Sequence, residues 1–192
     1  MTPIVGWLWP LEGPSGTSVG VGLLEEVGWA IPLALVLLLW VVHGLRRRKS
    51  EEERRAMAEE NRRKTRRLYE EAFGKGDFSV IDEVVAEGFV DHLGQHRGPE
   101  GFKRSVASLR HTFPDLQVSV EEQSVEGAKV TTRCTLRGVD RGGVLWYPPT
   151  EKRVAFAAVY TDRFSGGMLV EHRGRSDTAG LLEQLGLPLR SA

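Results

Sequence analysis

The feature that most restricts the fold is a change in hydrophobic period near residue 116. Before this point apolar residues recur at helical spacing, and after it they alternate with polar residues. Three helices are predicted upstream, in LYEEAF, FSVIDEVVAEGFV and RGPEGFKRSVASLRHTFPD. Four strands are predicted downstream, in LQVSVEEQSV, AKVTTRCTLRGV, KRVAFAAVYTDRF and MLVEHRGR, followed by a last helix in TAGLLEQLG. Helices gathered on one face of an antiparallel sheet define an α+β domain.

The segment 27–45, VGWAIPLALVLLLWVVHGL, is almost uninterrupted in its apolar character. A helix of this length is enough to cross a hydrocarbon core of about 30 Å, so one transmembrane helix is predicted here. RRRK follows at once, whereas residues 1–26 carry acids and no Lys or Arg. The positive-inside rule then predicts a single-pass protein of the cell membrane, with residues 1–26 as an extracytoplasmic tail and the rest in the cytoplasm.

The segment 46–66 is rich in charge and has high helix propensity. It lacks a wide apolar stripe, which predicts a solvated basic helical linker. Its arginines and lysines favour attraction to anionic lipid headgroups over nucleic-acid binding. Residues 67–192 then form the globular domain.

Composition excludes several classes of function. The 192 residues include 26 Lys plus Arg and 26 Asp plus Glu, so net charge gives no sign of a strongly anionic partner. Cys134 is the single cysteine, so no intrachain disulfide can form. The chain has no Cys/His cluster at metal-ligand spacing and no glycine-rich phosphate loop. No metal or cofactor is therefore expected.

Several ordered motifs resemble one known family. FPDLQVSVE, RCTLRG, PPTEKRV, RFSGGMLVEHRG and DTAGLLEQLG are similar to segments of the SnoaL-like polyketide or ester cyclases, which belong to the nuclear transport factor 2-like superfamily. The resemblance covers roughly Thr65 to Pro188 and does not include the predicted membrane anchor. It implies a strongly curved sheet that forms a cone around an apolar pocket, closed by helices. It also implies cofactor-free ring closure by aldol addition, in which a base removes a proton next to an ester carbonyl.

The resemblance also implies where the catalytic residues of such cyclases would fall. Their aspartate aligns with Gly174 and their histidine with Tyr160, so neither residue is retained here. Since alternate residues of a strand share a face, Met168, Val170, His172 and Gly174 are expected to face the pocket. Leu169, Glu171, Arg173 and Arg175 are expected to face away. Glycine cannot transfer a proton, so the usual mechanism lacks its central residue.

A replacement site can be composed from nearby side chains. His172 would be the base, Asp162 would orient it, and Tyr160 would donate to an enolate oxygen. The alternatives are that His172 is a structural residue and that Asp162 pairs with an arginine. The residues expected to contact substrate are His92, Phe156, Trp146, Met168 and Asp177. Asp177 is alternatively the N-cap of the last helix.

Two functions follow, with a third left open. The first is a membrane-anchored cyclase or isomerase acting on a small hydrophobic ester or polyketide-like molecule. The second is a non-catalytic module of the same fold that binds a ligand or dimerises, since related folds often pair through the sheet. The third is association with nucleic acid through the basic linker, with no sequence-specific recognition expected.

Overall fold

The computed structural model describes residues 30–189. The chain divides into two compact units, with the boundary between Lys49 and Ser50. A single long helix, α1, runs from Ala30 to Arg67. The predicted tail, residues 1–26, lies outside the described residues, and the predicted linker forms part of α1.

The predicted transmembrane helix, residues 27–45, begins outside the described part of the chain. Within residues 30–189, no helix is long and apolar enough to cross a membrane. The apolar part of α1 ends at Leu45, and the helix continues directly into the charged segment that starts at Arg46. The described residues therefore do not support the predicted span.

The second unit contains one sheet and several short helices. After α1 comes a π-helical segment, Leu68–Phe73, followed by α2, Ser79–Val84. Strands β1, Val85–Asp91, and β2, His96–Arg97, precede helix α3, Gly98–Thr112. The remaining elements are β3 (Gln117–Glu126), β4 (Lys129–Val139), β5 (Arg153–Ser165), β6 (Met168–Ser176) and α4 (Thr178–Leu185).

The sheet has the strand order β2-β1-β6-β5-β4-β3. The four predicted strands are confirmed. The prediction of a purely antiparallel sheet is wrong, because β1 pairs with β6 in parallel. The second predicted helix is also too long: it ends at Val84, and Val85 begins β1. The second half of the predicted helix instead forms β1, whose backbone pairs with β2 and β6. This pairing is a tertiary effect that the local pattern does not show.

The core lies between the helices and the inner face of the sheet. The π-helical segment contributes one buried face, which consists of Leu68, Tyr69, Ala72 and Phe73. Helix α3 is buried at Phe102 and Val106 and partly buried at Leu109. The π-helical segment therefore directs two aromatic rings, those of Tyr69 and Phe73, at the sheet.

A β-bulge changes which residues of β6 face inward. Phe164 pairs with Leu169 and Arg163 pairs with Glu171, so Val170 is an extra residue on β6. Leu169 is consequently fully buried, although strict alternation placed it on the outer face. The prediction that Met168 and Val170 share the inner face with His172 is wrong for the same reason.

Candidate active site

A cavity of about 410 Å³ lies between α3 and the sheet. Phe73, Phe102 and Leu109 supply apolar walls. The polar groups on its wall include Asp91, Tyr160 and His172, together with serines of α3. An apolar enclosure with a few convergent polar groups is the usual form of a small-molecule site.

His172 and Asp162 form a buried pair at this cavity. They are cross-strand partners on β6 and β5, and His172 Nδ1 lies 2.8 Å from Asp162 Oδ1. The exposed fraction is 1% for His172 and 0% for Asp162. Because a carboxylate can only accept, Nδ1 must carry the proton, which leaves Nε2 as the basic nitrogen. The alternative that Asp162 pairs with an arginine is not what the described residues show.

Tyr69 is a third member of this group that the sequence did not reveal. Its hydroxyl donates to Asp162 Oδ2 at 2.5 Å, and the residue is fully buried. Burial raises the pKa of the Tyr69 phenol well above its usual value, and the charge of Asp162 raises it further. The phenol therefore stays protonated and acts as a donor. A tyrosine on a predicted buried helical face was the available signal, because a buried phenol needs a polar partner.

Tyr160 lies flat against Tyr69 and close to His172. The ring centroids of the two tyrosines are 5.0 Å apart with an interplanar angle of 16°, and the centroid of His172 is 5.2 Å from that of Tyr160. Burial raises the pKa of Tyr160, so its hydroxyl also stays protonated. Tyr160 lines the cavity, where its hydroxyl is available to a bound molecule.

The ring of Tyr160 also fills the space beside Gly174. The two residues are cross-strand partners. A Cβ built on Gly174 would overlap Tyr160 Cδ1 and would lie 3.0 Å from both Tyr160 Cε1 and the carbonyl oxygen of Val159. No side chain therefore fits at Gly174 unless the ring of Tyr160 moves.

Asp91 is a second buried carboxylate at the cavity, and it was missed because its strand had been predicted as helix. It is 1% exposed, and it accepts from Ser105 Oγ at 2.6 Å and from the backbone N–H of Leu93 at 3.0 Å. A Cβ on Gly94 would come within 2.7 Å of Asp91 Oδ2. The missing side chain at Gly94 therefore leaves room at this carboxylate.

The five residues predicted to contact substrate do not line this cavity. Phe156 packs against Phe113 in the core, with ring centroids 5.7 Å apart. Trp146 is 58% exposed on the loop between β4 and β5. Met168 precedes the bulge and faces away. Asp177 caps α4 and accepts from the backbone N–H of Gly180 at 2.9 Å, as the alternative predicted.

His92, the fifth, takes part in an ion cluster outside the cavity. Its Nε2 lies 2.9 Å from Glu171 Oε1. Glu171 also accepts from Arg163 Nε at 2.7 Å and from Arg173. The hydrogen bond from Arg163, followed by that from Arg173, lowers the pKa of Glu171 to about 2. Within residues 30–189, no group of three His, Cys, Asp or Glu residues could hold a metal ion.

The mixed sheet, with helices on its inner face and a cavity beneath them, is the nuclear transport factor 2-like fold. A protein from Jannaschia sp. CCS1, assigned to the SnoaL-like polyketide cyclases, superposes with a TM-score of 0.62 at 28% identity. The match covers 69% of this chain and 96% of that chain. The α+β class and the superfamily predicted from the sequence are thus confirmed.

The family model of the SnoaL-like polyketide cyclases matches residues 63–185, and the chain belongs to this family. The nogalonic acid methyl ester cyclase of Streptomyces nogalater is 31% identical over 123 residues, which are 61% of this chain and 91% of that enzyme. The aklanonic acid methyl ester cyclase DauD of Streptomyces sp. (strain C5) is 29% identical over 111 residues, or 57% of this chain and 68% of that enzyme.

Proposed function

We propose that the protein is a cofactor-independent cyclase or isomerase for a small hydrophobic ester or polyketide-like molecule. The observation that carries this proposal is the buried His172–Asp162 pair, of which His172 lines the cavity. The similarity to two methyl ester cyclases supports the reaction class. No Lys or Arg lines the described cavity, which favours a neutral ligand over a free carboxylate.

The proposed chemistry uses groups already present. His172 Nε2 removes the proton next to the ester carbonyl, and the electron pair moves into the enolate. Asp162 stabilises the imidazolium that results. The Tyr160 hydroxyl donates to the enolate oxygen, and the enolate carbon attacks an intramolecular carbonyl to close the ring. The proton on His172 then passes to the new alkoxide, which restores the base.

Turnover by pocket variants tests the proposal. The full chain is supplied with an aromatic polyketide methyl ester, and cyclisation is followed by absorbance. His172→Gln should lower kcat by about 10²–10⁴-fold, the usual contribution of a general base. Asp162→Asn should lower kcat as well, because it favours the wrong tautomer of His172. His92→Gln, on the histidine outside the cavity, is the matched control. Unchanged turnover in both pocket variants would refute the assignment.

A non-catalytic role is the alternative, and the filled space at Gly174 favours it. The family's usual acid is missing there, and Tyr160 prevents a simple restoration. A ligand-binding module would bind the ester with an affinity that depends on Tyr160 and His172, without turnover. Equilibrium binding measured alongside the absorbance assay separates the two functions.

We also propose two properties that extend beyond the cavity. The side chains of Leu35 to Val41 are about half exposed or more, which supports association of the N-terminal unit with the cell membrane, with the domain on the cytoplasmic side. Deletion of residues 1–45 should move the chain to the soluble fraction.

Val159, 43% exposed beside Ala157 on the outer face of β5, supports a homodimer. Val159→Lys should then give a monomer in sedimentation.

A further inference from the structure

Three elements supply one buried hydrogen-bonded chain, of which the proposed mechanism uses only part. Tyr69 comes from the π-helical segment, Asp162 from β5 and His172 from β6. The phenol of Tyr69 donates to Oδ2 of Asp162 at 2.5 Å, while Nδ1 of His172 donates to Oδ1 at 2.8 Å. Each carboxylate oxygen therefore has its own donor. Catalysis by His172 and Asp162 alone would not require Tyr69.

The burial of Asp162 makes the second donor necessary. The carboxylate is fully buried, and within residues 30–189 no Lys or Arg bonds to it. An ionised carboxylate in such a place is strongly destabilised unless hydrogen bonds satisfy it. His172 supplies one hydrogen bond and Tyr69 supplies the other.

Tyr69 is held rigidly enough to fix the direction of its hydroxyl. Its ring is stacked on Tyr160 and meets Phe73 edge to face at 5.3 Å between centroids. With Oδ2 tied to this phenol, the plane of the carboxylate is set, and Oδ1 is directed at His172. Rotation of the carboxylate would break both hydrogen bonds together.

We propose that Tyr69 is a positioning residue that keeps Asp162 ionised and thereby holds His172 in the tautomer with a free Nε2. The inference rests on the proposed function for its catalytic meaning, but the tautomer and the titration of His172 are properties of the protein alone. The other groups that face His172 are Tyr160 from β5, Asp91 from β1 and Phe102 from α3. None of them bonds to Asp162.

The direction of the effect follows from the charge of the pair. With neutral His172 and ionised Asp162 the pair carries one negative charge, and protonation removes it. The hydrogen bond from Tyr69 favours the charged form, so it lowers the proton affinity of the pair. Loss of the phenol should therefore move protonation of the pair to higher pH, because one hydrogen bond to the charged form is lost.

NMR titration of His172 in the full chain tests the inference without substrate. The imidazole nitrogens are observed in ¹⁵N-labelled protein, and the signals of His172 are assigned by their loss in His172→Gln. Tyr69→Phe should move the transition to higher pH and mix the two tautomers. Tyr160→Phe is the matched control, because it removes a hydroxyl from the same aromatic stack without touching Asp162. Its titration should match that of the wild type.

A second perturbation covers the case in which Tyr69→Phe does not fold. Uniform incorporation of 3-fluorotyrosine makes the phenol more acidic and strengthens its donation, so the transition of His172 should move to lower pH. Identical titration and tautomer in the wild type and in either perturbed protein would overturn the inference. Absent turnover together with a shifted titration would remove the proposed function while leaving Tyr69 as the residue that positions the pair.

Discussion

Substitution of Gly174 by alanine tests whether Tyr160 fills the place of the missing side chain. The added Cβ would overlap Tyr160 Cδ1 and approach the carbonyl oxygen of Val159 at 3.0 Å. Gly88 in β1 is the matched control, since a Cβ there meets nothing within 4 Å and its backbone is not left-handed. Both changes reduce the entropy of the unfolded chain by a similar amount, worth about 0.4–1 kcal/mol.

The difference between the two variants therefore isolates the steric cost at Gly174. Overpacking a filled site costs about 1–3 kcal/mol, so Gly174→Ala should be less stable than Gly88→Ala by that amount. Equilibrium urea unfolding followed by near-UV circular dichroism measures the difference. In a Tyr160→Val background, which has no δ carbon, the cost should largely disappear. Equal stability of the two alanine variants would refute the packing argument. A related expectation is that Gly174→Asp alone does not restore the family's usual acid.

Three further predictions concern groups outside the cavity. Glu171→Gln should destabilise the fold at neutral pH, because the pKa of Glu171 falls from 4.5 to about 2 on folding. The loss of stability relative to the wild type should fade as the pH drops through that window, which urea unfolding at several pH values measures. Asp177→Ala should cost about 0.5–2 kcal/mol through loss of the N-cap, whereas Asp177→Asn should cost less in the same assay. Asp140 is fully buried and accepts hydrogen bonds from the backbone N–H groups of Gly143 and Thr150. Asp140→Ala should therefore lower the stability of the fold by about 1–3 kcal/mol for each donor left unpaired, which a lower thermal midpoint would show.

The sequence predicted the parts of the fold that depend on local pattern. The two-residue period located β3 to β6. Strand β1 was missed because SVIDEV and the residues after it keep a helical pattern of apolar side chains. Only pairing with β6, more than 70 residues away, decides that Val85 begins a strand.

The site was predictable to the extent that it lies on adjacent strands. Asp162 and His172 were predicted to lie near each other on neighbouring strands, and they are cross-strand partners. Tyr69 and Asp91 come from distant elements, and their contacts with the site arise only from tertiary packing. The predicted substrate contacts Phe156 and Met168 do not line this cavity, because they were assigned by counting along strands without knowledge of the cavity or the bulge.

The extra residue at Val170 has a consequence for how this strand tolerates change. Leu169 and His172 are the two most buried side chains of β6, yet three positions separate them, an odd interval that a regular strand would split between its faces. Removal of Val170 would reduce the interval to two positions, so a regular strand could keep Leu169 opposite Phe164 and His172 opposite Asp162. This strand should therefore tolerate loss of the bulge residue, whereas loss of Glu171 as well would make Leu169 and His172 neighbours and place them on opposite faces of the sheet.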